Sequence, residues 1–300
     1  MKRVASGWCF SCVDDPEALR ERLASALAGS GLLGTIILAA EGINLALHGE
    51  AEALDAAEAL LRAEPPFAAL WLHRSDDFGR LPFRRLRVVV RAEIVSLGQP
   101  VAADAHGAAR RLDPDAWDAM LAAGDVPVVD LRNRYEVETG TFPEAMDPGT
   151  EGFREAAAWL EETFPDRRAP VAMFCTGGIR CAKAAAWMRT QGWEDVRELD
   201  GGLLAYLDAR GAEDSRFLGE CFLFDDRVSV GPGGVQGDAE VCHGCRRPVT
   251  SADRAHPAYE PGVSCRRCRA TASADELDAR RERRRQVELA RARGDAHLAP

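Results

Sequence analysis

The chain has 300 residues, 46% of them hydrophobic, and carries a formal net charge of −10 at pH 7. This length accommodates two or three domains, each with a core of its own. The longest apolar run, from Leu32 to Ala40, is as long as a strand and well short of the ~20 residues that span a bilayer, which argues against a membrane protein.

Nine cysteines, without an apolar signal segment near Met1, predict a cytoplasmic protein whose thiols are reactive or bind metal. Charge is distributed unevenly along the chain. From Cys242 to Pro300 there are thirteen Arg and eight acidic residues, so an acidic body carries a basic C-terminal segment. The composition predicts no obligate protein partner.

Residues 1–98 are predicted to form a ferredoxin-like (acylphosphatase-like) α+β domain of βαββαβ order. Hydrophobic periodicity indicates strands over 4–13, 34–47, 69–73 and 86–97, and helices over 15–28 and 50–62. The second strand is expected to break near Gly42. Small residues without periodicity then predict a linker over 99–112.

Residues 113–218 change to short apolar strands that alternate with helices. Strands are predicted over 126–130, 171–175 and 196–199, and helices over 117–123, 152–163, 182–191 and 203–209. This alternation indicates a doubly wound α/β domain with a parallel sheet covered on both faces. Ligands of such sheets bind at the carboxyl ends of the strands.

Residues 219–272 are Cys-rich and too poor in apolar residues to hold a core without a metal. One last strand is predicted over 220–225. Residues 273–300 are predicted to be a basic helical tail, with Ser273 and Glu276 at the spacing of a capping box.

The most informative stretch is the loop from Cys175 to Arg180, between a predicted strand and a predicted helix. Thr176, Gly177, Gly178 and Ile179 direct successive backbone N–H groups at one point, and Arg180 adds a fixed cation. Such an anion cradle lowers the pKa of a thiol from about 8.5 toward neutrality. We therefore predict that Cys175 and Arg180 are catalytic, with an ionised and solvent-accessible sulfur; the alternative is an ordinary buried thiol.

Three further residues are predicted to support this loop. Asp130 and Arg132 leave the neighbouring strand and are expected to orient the loop through an ion pair, the alternative being an exposed pair of little energetic weight. Cys181 is either a resolving thiol or a residue that packs at the start of the next helix. The tryptophans at 159, 187 and 193 are predicted to lie in the core.

Four cysteines form two Cys-x2-Cys pairs separated by nineteen residues: Cys242, Cys245, Cys265 and Cys268. This is close to the spacing of a zinc ribbon, in which four thiolates close a tetrahedral site. We predict a structural zinc ion; an unliganded or disulfide-linked cluster is the alternative.

Arginine is concentrated in two places that suit phosphate, because its guanidinium matches phosphate bidentately. One lies in the basic tail and the other on or before the last strand of the first domain. The predicted contacts are Arg85, Arg87, Arg283, Arg284 and Arg285, with Arg80, Arg84 and Arg91 nearby. The alternative is an arginine-rich surface that is merely solvated; if phosphate is bound, binding should weaken steeply with salt.

A series of short motifs runs through nearly the whole chain. They lie at residues 41–44, 87–95, 129–136, 175–181, 199–202 and 219–222, followed by the two Cys-x2-Cys pairs. In this order they resemble the rhodanese-containing tRNA uridine hydroxylases, which install 5-hydroxyuridine at the wobble position. The loop itself resembles that of rhodanese domains, and its four residues between Cys175 and Arg180 match the sulfurtransferases rather than the related phosphatases, which carry one more.

The resemblance implies an oxidoreductase that hydroxylates C5 of uridine 34, in the anticodon region of tRNA, with molecular oxygen as co-substrate. It also implies that Cys175 is the essential residue, acting as a thiolate or a persulfide. We find no flavin or nicotinamide motif in the sequence. Glu41 and Asn44 are candidates for contact with tRNA, although a tight turn explains Gly42 and Asn44 equally well.

Two other functions fit part of the sequence. A sulfurtransferase that moves sulfur from thiosulfate to a small thiophilic acceptor needs only the rhodanese domain, and it leaves the first domain and the Cys-rich segment without a task. A non-enzymatic module would use Cys175 to sense oxidants and the tail to bind RNA.

Overall fold

The computed structural model describes residues 1–79, 82–99, 101, 107 and 109–293, and for Arg291 the backbone alone. Arg80, much of the linker predicted over 99–112 and the tail from residue 294 lie outside the described residues. Contacts divide the chain into two compact units, Met1–Gln236 and Gly237–Pro300. The five segment boundaries given above stay a prediction.

The first part of the larger unit is a five-stranded sheet with strand order β4-β1-β3-β2-β5. Neighbouring strands are antiparallel, except that β5 runs parallel to β2. The fifth strand adds an edge to the predicted ferredoxin-like order. The elements are β1 (Lys2–Phe10), α1 (Pro16–Ala26), β2 (Leu33–Ala39), β3 (Gly42–Glu50), α2 (Ala51–Ala63), β4 (Trp71–Asp76) and β5 (Leu86–Val90).

Strand alternation gives this sheet two different faces. On one face, residues such as Ile36, Leu38 and Leu45 pack with Leu23 of α1 and Leu54 of α2 in a single apolar core. The opposite face is lined by polar and aromatic side chains and borders a cavity described below. The sheet therefore has one face that its own helices do not cover, and this free face borders the cavity.

Of two strand predictions for this domain, the break near Gly42 is confirmed and the other needs correction. The predicted strand 34–47 is a hairpin, and its turn falls at residues 40–41, next to Gly42 as expected. The predicted strand 86–97 ends at Val90, because β2 ends at Ala39 and offers no partner beyond the bond from Arg91 N to Leu38 O. After Val90, carboxylate side chains accept hydrogen bonds from the backbone N–H groups in place of a neighbouring strand. Glu41, for example, accepts from Ile94 N at 2.7 Å.

The second part of the unit is a five-stranded parallel sheet with order β6-β11-β10-β7-β9. The predicted doubly wound domain is confirmed, with α3 and α7 packed in one core and α5 and α6 in the other. The elements are β6 (Arg110–Leu112), α3 (Pro114–Ala123), β7 (Val128–Asp130), α4 (Arg134–Val137), β8 (Gly140–Thr141), β9 (Ala145–Met146), α5 (Ala156–Thr163), β10 (Val171–Phe174), α6 (Ile179–Thr190), β11 (Val196–Leu199), α7 (Gly202–Ala209), β12 (Leu218–Gly219), β13 (Cys221–Phe222) and β14 (Ser229–Val230).

Three predicted elements of this part have different bounds. Helix α6 begins at Ile179, three residues before the predicted start, so the reactive loop runs directly into its first turn. The predicted helix 152–163 begins with a 3-10 turn at Phe153–Glu155. The strand predicted over 220–225 is only Cys221–Phe222, which pairs with Ser229–Val230.

The smaller unit is built around its cysteines, as its apolar-poor composition predicts. Three of them, Cys242, Cys265 and Cys268, form its core cluster with Val249. Its elements are β15 (Glu240–Val241), β16 (Pro248–Val249), α8 (Ser251–Arg254), α9 (Arg266–Arg269) and α10 (Ala274–Arg293).

The predicted basic helix is present as α10, and its capping box is confirmed. Glu276 N donates to Ser273 Oγ at 3.2 Å, and Ser273 N donates to Glu276 Oε2 at 2.8 Å. Within the described residues, no helix combines the length and apolarity needed to cross a bilayer.

A buried lysine ties the ferredoxin-like domain to the rhodanese domain. Lys183 on α6 is fully buried, and its Nζ donates to both oxygens of Glu41 at 2.8 Å and to Glu93 Oε2 at 2.6 Å. A fourth bond reaches Val95 O at 2.9 Å. Asn44 donates from Nδ2 to Ile94 O. Contact of Glu41 or Asn44 with tRNA stays a prediction.

Replacing Lys183 by Met should destabilise the protein by about 3 kcal/mol, because two carboxylates would lose the only cation that compensates their partial burial in this network. Urea unfolding followed by far-ultraviolet circular dichroism measures the change. Lys2→Met is the matched control, since Lys2 is exposed. Equal midpoints for the two variants would show that the lysine does not hold the domains.

Candidate functional site

The loop from Cys175 to Arg180 lies at the carboxyl end of β10, in the middle of the parallel sheet, as predicted. Gly178 takes a left-handed φ of 84°, which favours glycine. The start of α7 presses against the loop: Leu203 N donates to Cys175 O at 2.9 Å. At Gly202, with φ 64°, a Cβ atom would lie 2.6 Å from Cys175 O, so this close approach requires glycine.

Arg180 is paired with a carboxylate that the sequence analysis did not single out as a site residue. Its guanidinium donates to Glu136 Oε1 at 2.7 Å and Oε2 at 2.9 Å, and also to Thr176 Oγ1 at 3.0 Å. Both ion-pair partners are buried. Arg180 is therefore a fixed cation of the loop whose charge is compensated by Glu136, and its binding of an anionic group stays a prediction.

Cys175 has a lowered pKa, but its sulfur is not accessible to solvent. Cys175 is fully buried, so the expectation of a solvent-accessible thiol is wrong for this conformation. Burial by itself raises the pKa of the thiol, but the Cys181 side chain, the charge of Arg180 and the backbone N–H groups of residues 180 and 181 outweigh it and lower the pKa to about 6. The predicted anion cradle is thus present around a covered sulfur.

Cys181 is a neutral hydrogen-bond partner of Cys175. Its burial, together with the hydrogen bond and the charge at Cys175, raises the pKa of Cys181 well above its usual value. Glu198 on β11 lies in the same buried region, and burial raises its pKa to about 7 even though Arg111 donates to it at 3.0 Å. Cys181 both packs at the start of α6 and contacts the reactive sulfur, so neither sequence alternative excludes the other.

Asp130 and Arg132 form a buried ion pair. Arg132 Nε donates to Asp130 Oδ1 at 2.8 Å, and both side chains are fully buried, so the alternative of an exposed pair is wrong. Arg132 also donates to Gly140 O at 2.5 Å, and Thr141 Oγ1 donates to Asp130 Oδ2 at 2.8 Å. These bonds join the end of β7 to β8, whereas the direct ion pair to the loop is the one between Glu136 and Arg180.

A cavity of about 740 Å³ lies between the loop and the free face of the ferredoxin-like sheet. Thr176, Gly177, Ile179 and Arg180 line it from the rhodanese side. From the other side Trp8 donates its Nε1–H to Gly177 O at 2.7 Å. Its volume is within the range of sites for small molecules and nucleotides, roughly 300–1,000 Å³.

Several residues of this site were not predicted from the sequence. Glu136 stands three residues after Asn133, the spacing of a capping box, and that signal was present but was not used. Trp8 and Trp71 lie on strands where aromatic residues are common, so their sequence gives no sign of a shared cavity. Two of the tryptophans predicted to lie in the core, Trp187 and Trp193, are buried, and the third packs partly exposed against the same core.

The predicted phosphate contacts lie in different surroundings. Arg85 and Arg87 are exposed, and Arg87 pairs in register with Thr35, which lines the cavity. In α10, Arg283 and Arg285 are exposed, whereas Arg284 donates to Glu288 at 2.8 Å and to Pro261 O at 2.6 Å. Phosphate contact by these five arginines stays a prediction.

The four cysteine sulfurs of the smaller unit form a compact cluster. All lie within 4.8 Å of one another, and three of the separations are 3.7, 3.6 and 3.9 Å. Sulfurs bound at about 2.3 Å to one tetrahedral zinc ion would be about 3.8 Å apart. The donor set and its geometry therefore fit zinc.

Comparison with known proteins agrees with this architecture. Residues 2–94 match the family described as UPF0176 acylphosphatase like domain, and residues 113–209 match the Rhodanese-like domain. A "tRNA uridine(34) hydroxylase" of Ruegeria pomeroyi is 44% identical over 100% of this chain and 99% of its own length. The chain belongs to the tRNA uridine(34) hydroxylase family.

Two further members have the same extent of similarity. Proteins of the same name from Agrobacterium fabrum and Deinococcus radiodurans are 42% and 43% identical, and the matches span 98% and 95% of this chain and 94% of each relative. The resemblance stated from the motifs is confirmed. Because the match includes the ferredoxin-like domain and the Cys-rich segment, the family assignment rests on more than the rhodanese domain.

Titration should show a Cys175 thiolate at neutral pH. The quantity to follow is the ultraviolet thiolate absorbance of wild type minus that of Cys175→Ala, which should have an inflection near pH 6. Cys181→Ala should shift this inflection to higher pH, since the hydrogen bond from Cys181 is the largest of the contributions that lower the pKa of Cys175. The pKa of Cys175 in the folded protein is below its unfolded value of about 8.5. The stability that the thiolate contributes is therefore fully present above about pH 8.5 and is lost as the pH falls through about 6. Cys12→Ala, at an exposed thiol, is the control; an inflection above pH 8 in wild type would contradict the cradle.

Proposed function

We propose that this protein hydroxylates C5 of uridine 34 in the anticodon region of tRNA, with Cys175 as the essential residue. The observation that carries the proposal is the match to tRNA uridine(34) hydroxylases over nearly the whole chain. The ionised thiol at the end of β10 supplies the reactive group, and the cavity beside it supplies room for a nucleotide.

The burial of Cys175 favours a persulfide as the working form. A sulfur–sulfur bond is about 2.05 Å long, so the outer sulfur of a persulfide lies that much farther from the buried Sγ. The half-buried loop residues Thr176, Gly177 and Ile179 are those that line the cavity. We propose that this outer sulfur is the reactive atom, since it extends beyond the covered Sγ.

The oxidation of uridine has a fixed balance of electrons. With molecular oxygen as oxidant, C5–H becomes C5–OH, the second oxygen atom leaves as water, and two electrons are needed. Two thiols that join in a disulfide supply two electrons and two protons. In the form of Cys175 without the extra sulfur, Cys175 and Cys181 are our candidate pair, because the Cys181 side chain interacts with the Cys175 thiolate, and an external thiol would return them to the reduced form.

The sulfurtransferase alternative is not favoured. It uses the loop alone, whereas the relatives match the ferredoxin-like domain and the Cys-rich segment as well. The ferredoxin-like domain also forms one wall of the cavity and contacts the loop through Trp8. A sulfurtransferase that does not use the ferredoxin-like domain gives no reason for that domain to line the cavity.

Replacing Cys175 by Ala should abolish 5-hydroxyuridine in tRNA, because no other thiol is held in the loop. The measurement is mass spectrometry of tRNA nucleosides from cells that carry either variant in place of the wild-type gene. Cys12→Ala is the control, since Cys12 is exposed and distant in sequence from the loop. Normal 5-hydroxyuridine in the Cys175 variant, combined with loss of thiosulfate-dependent thiocyanate formation, would favour the sulfurtransferase instead.

We also propose that Cys242, Cys245, Cys265 and Cys268 hold one structural zinc ion. Four thiolates leave no open coordination position, so the ion would stabilise the smaller unit and take no part in the reaction. This unit has little apolar core besides the cysteines, so its folding should depend on the metal.

Metal analysis of the purified protein should find about one zinc ion per chain. Cys268→Ser should lower the zinc content and make residues 237–293 sensitive to proteolysis, while residues 1–236 stay resistant, because the two are separate compact units. Cys12→Ser should keep the metal. Protein without zinc that resists proteolysis throughout would exclude a structural role.

A further inference from the structure

One exposed aromatic side chain stands at the edge of the cavity. Among the residues that the structure describes, Phe224 is the one exposed aromatic, at 62% exposure. It follows the motif at 219–222, in the segment predicted as a strand over 220–225, and neither the thiol nor the cysteine cluster provides a role for it. A single exposed apolar side chain is ordinary on a protein surface, but this one lines a cavity beside the reactive loop, where an aromatic ring can contact a ligand.

The turn that carries Phe224 is rigid. Its neighbour Leu223 is only 4% exposed and Arg227 only 5%. Arg227 donates to Asp225 at 2.9 and 2.7 Å and to Ser75 Oγ of β4 at 2.5 Å. Val228 takes a φ of 72°, a conformation that costs energy for a β-branched residue and that persists only where its surroundings impose it. The exposed ring is thus displayed by a fixed turn, not by a loose loop.

The ring faces the reactive loop. Phe224 lines the cavity together with Thr176, Gly177 and Arg180, and its centroid is 5.9 Å from the Arg180 guanidinium. By contrast, Trp8 is committed to the structure: its Nε1 donates to Gly177 O, and its ring packs against Phe10 with centroids 5.6 Å apart. Phe224 packs edge-on against Phe222, with centroids 5.2 Å apart, yet it stays 62% exposed and is the most exposed aromatic ring that lines the cavity.

We propose that this cavity binds the uracil ring of the substrate nucleotide and that Phe224 stacks on that ring. An enzyme that acts on a ring atom takes the base out of its stack, and an aromatic side chain replaces the lost stacking. Polar groups that can bond the edge of the base, among them Asn44, Asn133 and Thr176, line the same cavity. The inference rests on the proposed function and adds to it the residue that holds the base.

Kinetics on full-length protein test the stacking. Stacking on an aromatic residue contributes about 1–3 kcal/mol per base, so Phe224→Ala should raise KM roughly 5- to 150-fold with a smaller change in kcat. Phe224→Trp should retain a low KM. Phe224→Leu keeps an apolar side chain without a ring face and should behave like the Ala variant; a wild-type KM for Leu would overturn stacking. Leu218→Ala is the control, because Leu218 is 61% exposed and does not line the cavity.

Binding provides a readout that does not require turnover. The probes are two anticodon stem–loops, one with uridine and one with an abasic residue at the wobble position. Wild type should prefer uridine by roughly tenfold, and Phe224→Ala should lose that preference while Leu218→Ala keeps it. An intact preference in Phe224→Ala, in a protein whose wild type forms 5-hydroxyuridine, would sink the inference and leave the proposed function standing. Absence of 5-hydroxyuridine with wild type would instead sink the proposed function.

Discussion

Two cations buried in the first turns of one helix hold the site together. Arg180 and Lys183 both lie on α6, both are buried, and neither has solvent to stabilise its charge. Each is compensated by carboxylates from elsewhere in the chain: Glu136 for Arg180, and Glu41 with Glu93 for Lys183. Because leaving a buried charge unpaired costs several kcal/mol, these partners are needed for α6 to keep both cations buried.

The two pairings have different consequences. The bond of Arg180 to Glu136 is internal to the rhodanese domain and sets the guanidinium beside Cys175, where its charge favours the thiolate. The bonds of Lys183 come from the ferredoxin-like domain and bring its free sheet face over the loop. The cavity between them is a product of the second pairing, since each domain supplies only one wall.

A buried thiol can still have a low pKa because the low dielectric of the interior acts in two ways. It raises the desolvation cost of the thiolate, and it also strengthens the hydrogen bonds and the charge interaction that stabilise the thiolate. Burial opposes the charge on Cys175, yet a hydrogen bond from Cys181, two backbone N–H groups and one guanidinium act at short range and outweigh it. The result is a cysteine with a lowered pKa whose sulfur is covered by the residues around it. This covering is the reason for proposing a persulfide as the working form of Cys175.

The sequence by itself determined the features that depend on local order along the chain: the strand–loop–helix around Cys175, the alternation of the rhodanese domain, the capped helix of the tail and the Cys-x2-Cys spacing. Each is decided by neighbours within a few residues, so periodicity and spacing reveal it. Tertiary structure alone decided that Arg180 is neutralised by Glu136, that Glu41 turns inward to Lys183, that Cys175 is covered, and that Trp8 and Phe224 share a cavity. These contacts join residues far apart in the chain, and the cost of burying charge and aromatic surface is settled only when the domains pack.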